Sequence, residues 1–174
     1  MKIAKKEPEL YYFSDDGKIP NNKFPLLLYR EVFSEKGEEG ANRLEELFAN
    51  NNWTNPWRNG IYHYHHYHST AHEVLGIYEG TALLKLGGEE GNEIHVTAGD
   101  IIVIPAGVGH KNILSNNLEV IGAYAGGRDW DILKGNEGER PGADENIAGV
   151  PFPDSDPVWG KDGRLITLWK VQVR

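Results

Sequence analysis

Residues Gly60 to Gly80 read Gly-Ile-Tyr-His-Tyr-His-His-Tyr-His-Ser-Thr-Ala-His-Glu-Val-Leu-Gly-Ile-Tyr-Glu-Gly, and this stretch holds five of the chain's seven histidines. In an extended strand, side chains two apart share a face and their Cα atoms lie about 6.6 to 6.8 Å apart, so imidazoles at i and i+2 can converge on one ion. Two registers satisfy that condition: His66 with His68, or His63 with His65. A one-residue slip exchanges the inward and outward sets, and periodicity by itself leaves both open.

The text around this stretch has one character. From Gly60 onward, short β-branched and aromatic runs are separated by Gly and Asn, the pattern of an antiparallel barrel or sandwich. The runs predict strands at 61–68, 73–79, 81–86, 93–97, 101–105, 110–114, 118–125 and 164–171. Before them, residues 24–33 form an apolar run that predicts an early strand after the turn-rich stretch Asp15 to Asn22. The one helical signal lies in Ala41 to Asn50, where Leu44, Leu47 and Phe48 recur at i, i+3 and i+4. Segment 134–162 is rich in Gly, Pro, Asp and Glu and predicts a long loop laid over the barrel. With no internal repeat, the chain divides into an N-terminal segment, 1–23, and one domain over 24–174.

Bulk properties narrow the function classes. A length of 174 residues fits one core, and 39% hydrophobic with 25% charged residues is a folding composition. The balance of 18 basic against 26 acidic residues, a formal charge of -8, disfavours nucleic acid and anionic membrane surfaces as partners. The absence of cysteine excludes disulfides, thiolate nucleophiles and zinc ribbons. The N-terminus lacks the apolar core of a signal peptide, and no apolar run nears the roughly 20 residues of a membrane helix. A cytoplasmic protein is the expectation.

The wider spacing resembles the cupin superfamily. Its first motif, G(x)5HxH(x)3-4E(x)6G, is matched by Gly60, His66, His68, Glu73 and Gly80. Its second, G(x)5PxG(x)2H(x)3N, is matched by Gly99, Pro105, Gly107 and His110, with Leu114 where the motif has Asn. The two motifs span 60–80 and 99–116. Further runs, including Trp57 to Ile61, His65 to Gly76, Val103 to His110, Gly122 to Tyr124 and Asp129 to Asp131, resemble the YjlB-type cupins, a bacterial subfamily. The resemblance implies an all-β, double-stranded β-helix, the cupin jelly-roll barrel, with a short N-terminal helix. It implies a homodimer, and it implies that His66, His68, Glu73 and His110 hold a divalent transition metal, choosing the first of the two registers. It names no substrate.

Three imidazoles and one carboxylate suit Fe(II), Mn(II), Co(II), Ni(II) or Zn(II) better than Mg(II) or Ca(II), which prefer oxygen. Tyr62 and Tyr64 share parity with His66 and His68 and are expected to line the same cavity, with Tyr124 facing it from another strand. Arg58 is a candidate for an acidic substrate at the barrel mouth, or for a surface ion pair. His63, His65 and His72 are expected on the outer face or in a subunit contact, and His95 half-exposed on its strand. The expected activity is that of a metal-dependent enzyme, of oxygenase, isomerase or epimerase type, on a small polar metabolite. The alternative is a non-catalytic small-ligand-binding protein.

Overall fold

The computed structural model describes residue 3 and residues 5–173. Seven strands, β1 (Glu9–Tyr11), β2 (Leu26–Tyr29), β3 (Trp53–Asn59), β4 (Glu73–Leu86), β5 (Asn92–Thr97), β6 (Ile101–Ile104) and β7 (His110–Ala125), form one antiparallel jelly-roll sheet. Among the described residues three α-helices accompany them, α1 (Gly37–Asn50), α2 (Gly142–Gly149) and α3 (Arg164–Lys170), the last followed by a 3-10 turn at Val171–Val173. The order across the sheet is β1, β2, β6, β4, β7, β3, and β5 pairs with β4 off this path.

Strand β4 organises the barrel. Its first half, Glu73 to Gly76, pairs with β6, and its second half, Thr81 to Leu86, pairs with β5. Strand β7 follows it along both halves, from Leu86 opposite His110 to Glu73 opposite Tyr124. The register shifts on either side of Glu79 mark the bend between the halves. Gly80 sits there at φ +77, and a Cβ on it would lie 2.2 Å from the Asn117 carbonyl oxygen, so only glycine lets β7 approach so closely.

Alternation along the strands separates two cores. Leu26, Leu28, Leu75, Ile77, Ile102, Ile104 and Val120 fill the interior. Their neighbours Leu27, Tyr29, Val74, Ile101, Val103 and Ile121 pack on the other face against Leu44 and Phe48 of α1 and Leu165 and Trp169 of α3. Because helices cover the outer face, β2 and β6 are buried on both sides. Their sequences therefore read as unbroken apolar runs. The same parity sends Glu73, two residues before Leu75, to the interior.

Several expected elements change. Residues 164–171 are a helix over Arg164–Lys170, not a strand: Leu165 and Trp169, four apart, are both buried, and Trp169 stacks on Phe24 at 4.8 Å. A short apolar run suits either element, and packing decides. Residues 61–68 form no regular strand: His66 bridges His110 of β7, the Tyr62 carbonyl oxygen accepts the Asn112 N–H at 2.9 Å, and Tyr67 bridges Leu133 outside the sheet. The strand lies earlier, at β3, where a register irregularity between Thr54 and Trp57 accommodates Asn55, at φ +59, and Pro56. Segments 73–79 and 81–86 are one strand, as are 110–114 and 118–125. The long loop 134–162 contains α2, and α1 begins at Gly37. Strand β1, within the N-terminal segment, pairs with β2.

Candidate metal centre

His66 and His110 are joined by two backbone hydrogen bonds, from His110 N–H to the His66 oxygen at 2.9 Å and from His66 N–H to the His110 oxygen at 3.2 Å. That bridge sets their rings side by side, with centroids 4.0 Å apart. His68, two residues on, adds a third ring 5.7 Å from His66 and 5.5 Å from His110. One ligand nitrogen from each of the three lies within 4.8 Å of the other two, and all three residues are buried.

Each ring is held by its Nδ1. His66 Nδ1 meets the Tyr64 carbonyl oxygen at 3.1 Å, His110 Nδ1 meets that of Val108 at 3.1 Å, and His68 Nδ1 meets that of Asp131. A carbonyl only accepts, so each Nδ1 carries a proton, and in the neutral ring each Nε2 has a lone pair to offer a metal. Tautomer and orientation are those of three metal-ready imidazoles.

Glu73 reaches two of the three rings: Oε2 lies 3.2 Å from His68 Nε2 and Oε1 lies 3.3 Å from His110 Nε2. It is not among the groups within 4.8 Å of all three. It is 2% exposed, and Oε2 has no hydrogen-bond partner. Burial pushes the Glu73 carboxyl up, but the two facing histidines outweigh it and hold it below the usual carboxylate range. Burial lowers the His68 imidazolium, yet the Glu73 charge wins and raises it. His66, with burial and then the neighbouring His110 acting against its charged form, falls to about 3 and is neutral at physiological pH.

Of the other expected residues, Tyr124 is buried, and its hydroxyl accepts a hydrogen bond from Trp57 Nε1 at 2.9 Å. Burial and the facing Glu73 push its pKa well up. Gly122 permits the Trp57 contact, because a Cβ there would lie 2.1 Å from the indole ring. Tyr62 and Tyr64 are exposed, stacked on each other at 5.0 Å and edge-on to His66. Arg58 is placed apart from them, on the outside, donating to Glu45 and Asn42 of α1. His63 is exposed, with Nδ1 3.0 Å from the Asn112 oxygen, and His65 pairs with Glu89. His72 lies on the outer face but beneath its covering: it is 1% exposed, packed on Trp169 and Phe24, and its Nδ1 accepts the Ala106 N–H at 2.8 Å. Its neighbour Glu73 points inward, so alternation turns His72 toward the helix-covered outer core rather than to solvent.

Sequence reasoning assigned no role to Asp131. Its backbone oxygen holds His68, and its carboxylate accepts both the Ser69 N–H, at 2.7 Å, and the Ser69 hydroxyl. Trp130, beside it, stacks on Tyr124 at 5.8 Å and stands edge-on to His68. The only advance signal was the Asp-Trp-Asp run itself.

Comparison with known proteins identifies the family of this chain. The cupin-domain family profile matches residues 58–120. The chain is 39% identical over 166 residues to "Uncharacterized protein YjlB" of Bacillus subtilis (strain 168), covering 94% of this chain and 98% of that protein. Among solved structures, acireductone dioxygenase from Bacillus anthracis, with a cadmium ion in its active center, is 15% identical at a TM-score of 0.39, covering 57% of this chain and 76% of that one. RmlC from Streptococcus suis, in complex with dTDP-D-xylose, is 13% identical at a TM-score of 0.37, covering 96% of each chain. With its two spaced motifs, its barrel and its near full-length likeness to YjlB, the chain belongs to the cupin family as a YjlB-like member.

Proposed function

We propose that this chain holds one divalent transition metal through His66, His68, His110 and Glu73 and acts as a metal-dependent enzyme on a small polar metabolite. The observation that carries the reading is the shared tautomer of the three buried rings: every Nδ1 is spent on a carbonyl, and every Nε2 is left for an ion. The unpartnered Glu73 Oε2 supplies a fourth donor of a type suited to Fe, Mn, Co, Ni or Zn. When bound, such an ion supplies Lewis-acid or redox chemistry. The chain's own residues then do the rest. The Trp57 to Tyr124 hydrogen bond fixes a hydroxyl beside Glu73, where it can orient a polar group of the substrate, and the exposed Tyr62 and Tyr64 wall the entry. Oxygenase, isomerase and epimerase chemistry all suit this arrangement, and a homodimer is the assembly proposed.

A second reading, a metal-free small-ligand-binding protein, is favoured by the direct approach of Glu73 to His68 and His110, which one added proton turns into a charged hydrogen bond. Elemental analysis of protein purified without a polyhistidine tag separates the two. The metal reading expects about one transition-metal ion per chain, lost in His66→Ala and in His110→Ala. Wild-type protein that stays metal-free after incubation with Fe(II), Mn(II) and Zn(II) favours the second. Light scattering of the same sample reads the dimer.

A further inference from the structure

Among the described residues four aromatic rings stand exposed, Tyr12, Tyr62, Tyr64 and Trp130, and three of them surround the histidine group. Tyr62 and Tyr64 lie 5.3 and 5.7 Å from the His66 ring, and Trp130 lies 5.6 Å from the His68 ring. Each is held in place by stacking. Tyr62 and Tyr64 support one another at an interplanar angle of 16°, and Trp130 rests on the buried Tyr124 at 19°. Rings pre-ordered in this way, yet left in water, offer apolar area that no described segment of the chain covers.

The charge beside them is equally specific. In a chain of formal charge -8, Lys134 places its Nζ 4.5 Å over the Tyr64 ring, and no described carboxylate lies within ion-pair distance of it. On the other side, Arg128 and Trp130 line a groove of about 490 Å³, room enough for a small ring. Asp129 and Asp131 share that groove with Arg128, and with two carboxylates beside one guanidinium the groove disfavours an anion, which leaves Lys134 as its better partner.

We propose that the ligand of this site is a planar aromatic molecule bearing an anionic group, its ring packed against the exposed rings of Tyr62 and Trp130 and its charge met by Lys134. This rests on the reading of the histidine group as the functional centre. It goes further by naming the class of molecule that enters.

Isothermal titration with benzoate, cyclohexanecarboxylate and benzamide tests it, on zinc-loaded and on metal-stripped protein whose metal content is measured in the same samples. Benzoate should bind about fivefold tighter than cyclohexanecarboxylate, because only a flat π face stacks, and at least about twofold tighter than neutral benzamide. Trp130→Ala and Tyr62→Ala should each reduce the ring preference, and Lys134→Gln should remove the charge preference, with zinc content unchanged. Equal affinity for the two acids, a ring preference that survives both aromatic substitutions, or no benzoate binding to zinc-loaded protein overturns the proposal. A protein that takes up no zinc but keeps the ring preference overturns the metal reading and leaves this one standing.

Discussion

Glu73 and His110 belong to opposite ends of one strand pair, yet their side chains meet: Glu73 Oε1 lies 3.3 Å from His110 Nε2. His110 pairs with Leu86, at the far end of the fourteen-residue strand that Glu73 begins. Laid flat, that strand would hold them about 43 Å apart. The bend at Gly80 curls the ribbon until its two ends close over the barrel interior.

Gly80→Ala is therefore expected to damage fold and site together. The new methyl meets the Asn117 carbonyl oxygen at a positive φ, and the loss should exceed about 2 kcal/mol. Urea unfolding reads the loss. An unchanged midpoint would mean that the bend is not held by this close approach.

Asp131→Ala should weaken metal binding without removing a proposed ligand. It frees the loop whose carbonyl orients His68 and leaves the buried Ser69 N–H unpaired. Loss of such an outer support typically costs about 10- to 100-fold in metal affinity. Chelator competition measures it, and an Asp131→Ala affinity equal to wild type would show that Ser69 and His68 keep their places unaided.

The double variant His63→Ala, His65→Ala should keep its metal. His63 lies at the surface, and His65 is engaged by Glu89 at 2.6 Å. Elemental analysis showing metal lost here but kept in His66→Ala would reverse the register.

His72 should make the protein acid-sensitive. Burial, and secondarily the Arg128 charge, lowers its pKa from 6.5 to about 3. Between those values the unfolded chain binds a proton that the folded chain refuses, so the contribution is full above 6.5 and is lost as pH falls toward 3. The slope of stability against pH should carry up to about 1.4 kcal/mol per pH unit from this residue. His72→Gln should reduce that slope by close to one proton. Urea midpoints from pH 7 to pH 5 decide, and identical slopes in the two proteins would contradict it.

Much of the centre was legible in the chain because its signals are local. His66, His68 and Glu73 fall within eight residues, and the spacing of Pro105, Gly107 and His110 reports the turn that delivers the third ring. Leu44 and Phe48 announced α1 by helical spacing. The failures occurred where a short segment is compatible with two structures: Leu165 to Trp169 reads as strand or helix, and Pro56 hides β3.

The sequence by itself determined which donors exist, at what spacing, and the β character of the core, since steric preference and side-chain alternation act over a few residues. Only the tertiary structure decided that Asp131, sixty-two residues from Ser69, holds His68 in place. The same holds for Glu73 meeting His110 and for Arg58 turning to α1. Those contacts depend on strand register and on the closing bend, which burial over the whole barrel selects and no local pattern encodes.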